Sequence, residues 1–426
     1  MILPKRLVAS VLAAICIPVA EAATDGDTLT LPNAVALALT ANPDIRLSEL
    51  AVASYQAGMQ SADTAPNPTF TVGTSNLNTQ AGIGSGNLRS KTFDTSVRID
   101  QLIERGDKRR LRTENAAALT SASRFDAREV RRQTMIAVTF AFYDLLAAQE
   151  RQEIAMQNAS LMGDTLLAAR KRRTAGDLAP SDVTRIEVDA LRTDNDAGQA
   201  VAEVARARIV LAQLLGDARR ATGLSVAGDW PARGLQLTPD TEVALAERAD
   251  VRAAQARLDA ARAAARLASA ALQRDVTVGL QYDHFPGSTT NMQGNGNSIG
   301  VSIQIPLFLR NQYTGEIRSA AVAVETAALV LERTREAARG EILRQVEDAR
   351  ASIERLTRFD ERLLPAARTS AAAAEFAFQH GAISVMDVLD VRRTYRQALL
   401  DALSARTDQA KTAAAMAWLS KPEVSR

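Results

Sequence analysis

The chain has 426 residues, with 51 Lys and Arg set against 49 Asp and Glu. So small an excess leaves no basic surface to neutralise nucleic-acid phosphates, which speaks against a DNA- or RNA-binding role. Two histidines (His284 and His380) and one cysteine (Cys16) cannot furnish His-based triads, zinc sites or a disulfide framework. With no nucleophile elbow and no Walker-type phosphate loop in the chain, the residues point away from an enzyme. We expect no catalytic residue, no cofactor and no resident metal.

In chain order, residues 1–22 read as an export signal. Lys5 and Arg6 form a basic region, Leu7 to Ala20 an apolar stretch, and Ala20-Glu21-Ala22 a cleavage site. Cys16 raises the alternative of a lipid anchor, although Ile15 stands where a small residue is expected. Beyond it the chain is rich in alanine, the strongest helix former, except in two windows. Residues 82–115 and 272–319 contain no alanine and are rich in Gly, Asn, Thr, Ser and β-branched residues. In the second window Val276, Val278, Leu280 and Tyr282 alternate with Thr277, Gly279 and Gln281. After a Gly/Asn/Ser loop, Ile299, Val301, Ile303 and Ile305 alternate with Gly300, Ser302 and Gln304. Period two on both sides of a loop predicts a hairpin with one apolar face, over residues 275–309. A weaker counterpart, over 68–103, rests on Phe70 and Val72, then Val97 and Ile99.

The remainder predicts long helices, at about 32–65, 106–175, 180–216, 240–272, 312–378 and 384–419. After Pro180, Val183, Ile186, Ala190, Thr193, Ala197, Ala200, Val204, Ala207, Leu211 and Leu214 keep a 3-4 spacing without a break. Ile342, Val346, Ala349, Ile353, Leu356 and Leu363 form a second seam with a gap at Asp360. Such spacing predicts coiled-coil packing with close approach at alanine.

The layout repeats. Val35-Ala36-Leu37-Ala38 returns as Val243-Ala244-Leu245-Ala246, and Thr71-Val72-Gly73 as Thr277-Val278-Gly279. Gly176, six residues before Asp182, matches Gly381, six before Asp387. We therefore divide the chain into a first repeat (23–216), an equatorial linker (217–239), a second repeat (240–420) and a tail (421–426), with a duplication of about 205 residues. Tip turns at 176–180 and 379–384 fall at one end of a long bundle, and both hairpins at the other. Four strands with an apolar outer face cannot close a barrel alone, because open edges are costly in lipid. Several copies must each contribute four.

At this point the residues carry a resemblance. Leu29-Thr30-Leu31, Asn67-Pro68-Thr69, Gly106-Asp107-Lys108-Arg109, Ile305-Pro306-Leu307-Phe308 with Arg310-Asn311-Gln312, and the two tip turns resemble the TolC family of outer-membrane efflux proteins. Within it the chain is most similar to the CzcC/CusC-like members that serve heavy-metal pumps. The resemblance implies a mostly α-helical fold with a membrane β-barrel: a homotrimer sharing one twelve-stranded barrel, above a periplasmic helical tunnel. It also implies a periplasmic adaptor (membrane fusion protein), an inner-membrane RND pump that supplies the energy, and contact with outer-membrane lipid. The function so implied is a passive exit duct, for heavy-metal cations first and for multidrug efflux or type I secretion as the alternative.

Asp387 and Asp390 lie three residues apart after the second tip, so both carboxylates share one helix face. Around a threefold pore they would form two acidic rings that attract cations. Ordinary capping of a helix start is the competing role. The resemblance implies the first, since the matching aspartates of the family line the closed periplasmic aperture. The same resemblance places a Tyr and an Arg where this chain has Phe378 and Ile383, neither of which can make the same hydrogen bond or ion pair. Asp182, the first-repeat counterpart, reads as a helix cap. Gly176, Asp177, Leu178, Gly381, Ala382 and Ile383 resemble adaptor-docking tips, with Leu178 and Ile383 expected to be exposed. Arg170 to Arg173 suit a helix C-terminus, an adaptor contact being the alternative. Lys108, Arg109, Arg110 and Arg112 are expected to snorkel toward headgroups.

Overall fold

A computed structural model describes residues 28–75, 93–232, 241–286, 296–380 and 382–420. The signal segment with Cys16, the loop around Gly82, part of the linker, Gly381 and the tail lie outside the described residues. The first half runs β1 (Thr28–Leu29), α1 (Leu31–Ala41), α2 (Pro43–Ala62), β2 (Thr69–Ser75), β3 (Asp94–Ile103), α3 (Lys108–Thr174) and α4 (Pro180–Leu214). A 3-10 turn (Ala218–Ala221) and β4 (Ser225–Val226) follow. The second half runs α5 (Thr241–Glu247), α6 (Ala249–Ala270), β5 (Val276–Phe285), β6 (Gly296–Gln304), α7 (Thr314–Arg358), α8 (Leu364–Gln379) and α9 (Val385–Ser420).

The 67 residues of α3 span about 100 Å at 1.5 Å per residue. It is the hub of the bundle, packing against α2, α4, α6 and α9. Along α4 the 3-4 seam is buried at Val183, Ile186, Thr193, Ala200, Val204 and Leu211. At mid-height Phe142 and Leu145 of α3 pack with Leu211, Leu215, Leu224 and Val226, joined by Leu29. Here β1 and β4 pair in parallel. Gln149 of α3 clamps that pair: its amide donates to the Val226 carbonyl and accepts the Val226 N–H, each at 3.0 Å. The Trp230 indole stacks on Tyr143 and donates to Glu150 at 2.8 Å, so the linker is strapped to the bundle's waist. Gly216, at φ +83°, ends α4 where a β-carbon would collide with the Ala41 carbonyl, which restricts the position to glycine.

Three of the expected helices are interrupted, each for a local reason. The first breaks at Asn42, whose side chain accepts from the Asp44 and Ile45 N–H groups and leaves Pro43 to begin α2. Its later copy breaks 206 residues on, at Arg248, without proline. There the guanidinium is nearly buried and binds Asp250 at 2.7 Å and Glu341 of α7 at 2.8 Å. Burial disfavours the charged Asp250 carboxylate, but the Arg248 hydrogen bond and charge outweigh it and hold its pKa below the ordinary value.

The third interruption is a π-helical turn, Phe359–Leu363, between α7 and α8. Pro365 at the start of α8 lacks the N–H that an unbroken α-helix would use, and the widened turn absorbs the misfit. One extra residue per turn rotates the seam. Ile342, Ala349 and Leu356 are buried as the spacing predicts, but Leu363 turns outward to 43% exposure. Asp360 turns inward instead and pairs with Arg406 of α9 at 3.2 Å.

Candidate functional site

The strands β2, β3, β5 and β6 form one antiparallel sheet in that order. Its register aligns Phe70, Ile99, Leu280 and Val301 in a single row, and Val72, Val97, Tyr282 and Ile299 in the next. Alternation puts both rows on the same face. That face is bare: Ile299 is 75% exposed, Val301 73% and Ile303 68%. Polar residues enter this face toward its ends: Thr74, Thr95, His284 and Asn297 form a row at one end, and at the other the Gln101 amide donates to the Pro66 carbonyl at 3.0 Å and the Leu102 carbonyl at 2.9 Å.

On the opposite face the central rows are polar or small: Thr69, Asp100, Gly279 and Ser302, then Thr71, Arg98, Gln281 and Gly300. Arg98 pairs with Asp100 at 2.8 Å and donates to Ser302 at 3.1 Å. Gly279 makes room for this cluster, since a β-carbon there would strike Asp100 and Ser302. A sheet with a continuous apolar face on one side and ion pairs on the other is suited to separating hydrocarbon from water.

Below the sheet, the expected snorkelling cations are instead used internally. Lys108 binds Asp275 and the Gln273 carbonyl, both at 2.8 Å, Arg109 pairs with Asp63 at 3.1 Å, and Arg112 pairs with Glu104. Arg110 pairs with Asp107 and Glu114. These residues pin strand ends to helix starts. Two residues with left-handed backbone mark the same junction in each repeat, Asp107 at φ 57° and Tyr313 at φ 55°.

At the far end both tips are helix-terminating hydrogen-bond motifs. Asp177 N–H bonds the Arg172 carbonyl at 2.9 Å and Gly176 N–H the Arg173 carbonyl at 3.0 Å, with Gly176 at φ +85°. Ala382 N–H bonds the Ala377 carbonyl at 2.8 Å, 205 residues later. Asp177 and Ala382 are exposed, Ile383 half-buried. Leu178 is not exposed as expected: it packs on Met162, Ala169, Val183 and Ile186 of its own hairpin, together with Leu389 of α9. Arg170 binds Glu187 across the hairpin at 2.7 Å.

Asp387 and Asp390 are both exposed on the first turns of α9. Asp387 closes a reciprocal capping box. Its carboxylate accepts from the Ser384 hydroxyl at 2.8 Å and the Ser384 N–H at 3.0 Å, while the Ser384 hydroxyl accepts the Asp387 N–H at 3.3 Å. The Ser384 hydroxyl, then its backbone N–H, hold the Asp387 pKa below the ordinary aspartate value. Asp390 has no side-chain partner among the described residues. Asp182, half-buried, makes no side-chain cap of α4, whose N-cap is Ala179; it can act there only on the helix dipole.

The sequence reading missed a series of arginines one to two turns further along α9. Arg393 reaches the buried Asp189 of α4, Arg396 pairs with Asp196 at 3.1 Å, and Arg392 binds Glu375 of α8 at 2.6 Å. They border a cleft of about 670 Å³ between α4 and α9. Asp189 and Asp196 are seven apart on one helix, which was the available signal. Among the described residues no group of three or more His, Cys, Asp or Glu is placed to hold a metal, and no helix is long and apolar enough to cross a membrane.

The sequence model of the family described as "Outer membrane efflux protein" matches twice, over residues 34–217 and 241–419. The chain belongs to this family. A curated relative, the cobalt-zinc-cadmium resistance protein CzcC of Cupriavidus metallidurans, is 28% identical over 87% of this chain and 84% of its own. The outer membrane efflux protein BepC of Brucella suis is 24% identical over 89% and 79%. A solved structure of CusC, described in terms of folding and transmembrane channel formation, superposes with a TM-score of 0.73 at 18% identity, covering 91% of both chains. The fold is thus TolC-like, mostly helical with small β-sheets. This is an outer-membrane protein with a large periplasmic helical domain, a passive channel component of a tripartite efflux system and not an enzyme.

Proposed function

We propose that three copies of this chain share one twelve-stranded barrel and form a passive exit duct from the periplasm to the outside. The observation that carries the proposal is the four-stranded sheet with one bare apolar face, one polar face and two unpaired edges, β2 and β6. Open edges in hydrocarbon leave backbone groups unsatisfied, whereas pairing β6 of one copy with β2 of the next closes the ring. The 100 Å helices then make the periplasmic tunnel, and the tips at Gly176–Leu178 and Gly381–Ile383 meet a periplasmic adaptor joined to an inner-membrane RND pump.

Asp387 and Asp390 of three copies give acidic rings at the periplasmic mouth. The capping box does not compete with this role, because the exposed Asp387 carboxylate stays charged while it caps. Arg393–Asp189 and Arg396–Asp196 tie α9 to α4 and take the place of the absent family Tyr and Arg as the closing device.

For cargo we infer heavy-metal cations, supported by the relationship to CzcC and by acidic rings that concentrate cations. Multidrug efflux or type I secretion is the second reading, favoured by the generality of the fold and by the relationship to BepC, an outer membrane efflux protein whose name specifies no metal. Deleting the gene and measuring tolerance and accumulation for cobalt, zinc, cadmium, nickel, copper and silver beside several drugs separates them. Metal sensitivity with raised accumulation supports the first; sensitivity to drugs alone discards it and keeps the duct.

A further inference from the structure

We propose that Arg105, Arg274 and Arg310 form a rim that binds anionic phospholipid headgroups at the periplasmic boundary of the sheet. The inference rests on the barrel reading above. On the apolar face Ile103 lies opposite Val276. Both strands end at this pair, and Arg105 and Arg274 follow two residues beyond it, where the apolar band ends. Arg310 follows Leu309 at the base of β6, the neighbouring strand. The three segments are held together: the Arg105 N–H donates to Asp275 at 2.9 Å, and the Arg274 guanidinium lies 5.5 Å from the Phe308 ring centre.

What separates these arginines from the other cations nearby is pairing. Lys108, Arg109, Arg110 and Arg112 all hold carboxylates of the chain. Arg105, Arg274 and Arg310 are exposed and have no carboxylate partner among the described residues. Beside them Leu307 is 67% exposed and Leu309 83%. A ligand that suits this arrangement needs an acyl chain to cover the leucines and a negative phosphate for the guanidinium forks. An anionic phospholipid of the inner leaflet has both, and free phosphate has only the second.

The test uses the full trimer in nanodiscs of phosphatidylethanolamine with or without phosphatidylglycerol, with retained lipid counted by native mass spectrometry. The protein is expected to retain phosphatidylglycerol selectively. Removing charge as Arg105→Gln, Arg274→Gln and Arg310→Gln should weaken retention by roughly fivefold per arginine, while the three Arg→Lys replacements keep most of it. Arg310→Gln alone carries the test if the triple variant does not fold, since Arg310 makes no side-chain hydrogen bond or ion pair among the described residues. Lys108→Gln should lower stability without changing lipid retention. Equal retention by the protein and its Gln variants, or displacement of the lipid by an equal concentration of inorganic phosphate, overturns the proposal. Failure of the chain to enter any bilayer overturns the barrel reading beneath it.

Discussion

The α3–α4 hairpin and its later copy, α7–α8–α9, share a plan and differ along the outgoing helix and at the tip. The first has a single unbroken 67-residue helix, a tip bearing Gly176, and a returning helix that starts at Ala179 without a side-chain cap. The second is widened by a π turn ahead of Pro365 and restarts on a Ser384–Asp387 capping box. The acidic pair belongs to the second copy alone, and its arginines reach back to carboxylates on the first.

The sheet offers the largest perturbation. Val301→Arg puts a cation on the bare face at a cost of about 2–4 kcal/mol in mid-bilayer, repeated in each copy. Inserted trimer should vanish from outer-membrane fractions. Ser302→Arg, one residue along on the polar face, should still insert; equal behaviour of the two would break the inside–outside assignment.

Next in size is the bond between the copies. Asp189→Ala leaves Arg393 without its carboxylate and should cost about 1–2 kcal/mol, moderated because Arg393 is half exposed. If the pair holds the tip shut, single-channel conductance rises. A stability loss with unchanged conductance would make the pair structural.

The smallest effect compares the two helix starts. Ser384→Ala should cost about 1 kcal/mol through the lost cap, whereas Ala179→Ser should raise stability by a fraction of that. Both are read as shifts in melting temperature. The pH dependence follows from the lowered Asp387 pKa. Its contribution is complete above the ordinary value of 3.8 and is lost as pH falls through the lower folded value. In Ser384→Ala, NMR titration of Asp387 should move back toward the ordinary value.

Much of this was legible in the residues because it is periodic. Alternation in β5 and β6, the unbroken 3-4 seam of α4 and the shared Val-Ala-Leu-Ala and Thr-Val-Gly segments each encode a face or a copy locally. What stayed hidden depends on partners remote in sequence. Nothing near Arg393 announces Asp189, and the basic run after Gly106 looked free because Asp63, Glu104 and Asp275 sit on other segments or face back on it. Leu178 looked exposed because its cover includes Leu389. Leu363 was assigned to the seam by counting sevens, and a single π turn falsified the count. Asn42-Pro43 carries a break signal that the helical pattern on either side masks, and Ser384-x-x-Asp387 carries a capping signal at the start of the helix expected from residue 384.

On the reading proposed above, three copies make a channel whose periplasmic mouth is ringed by Asp387 and Asp390. Single-channel recording of the purified protein in a planar bilayer, across a potassium chloride gradient, tests it most directly. A cation-selective reversal potential is expected, collapsing toward zero in the Asp387→Ala, Asp390→Ala double variant while the channel still forms. Selectivity unchanged by the double replacement, or no channel from the folded protein, would contradict it.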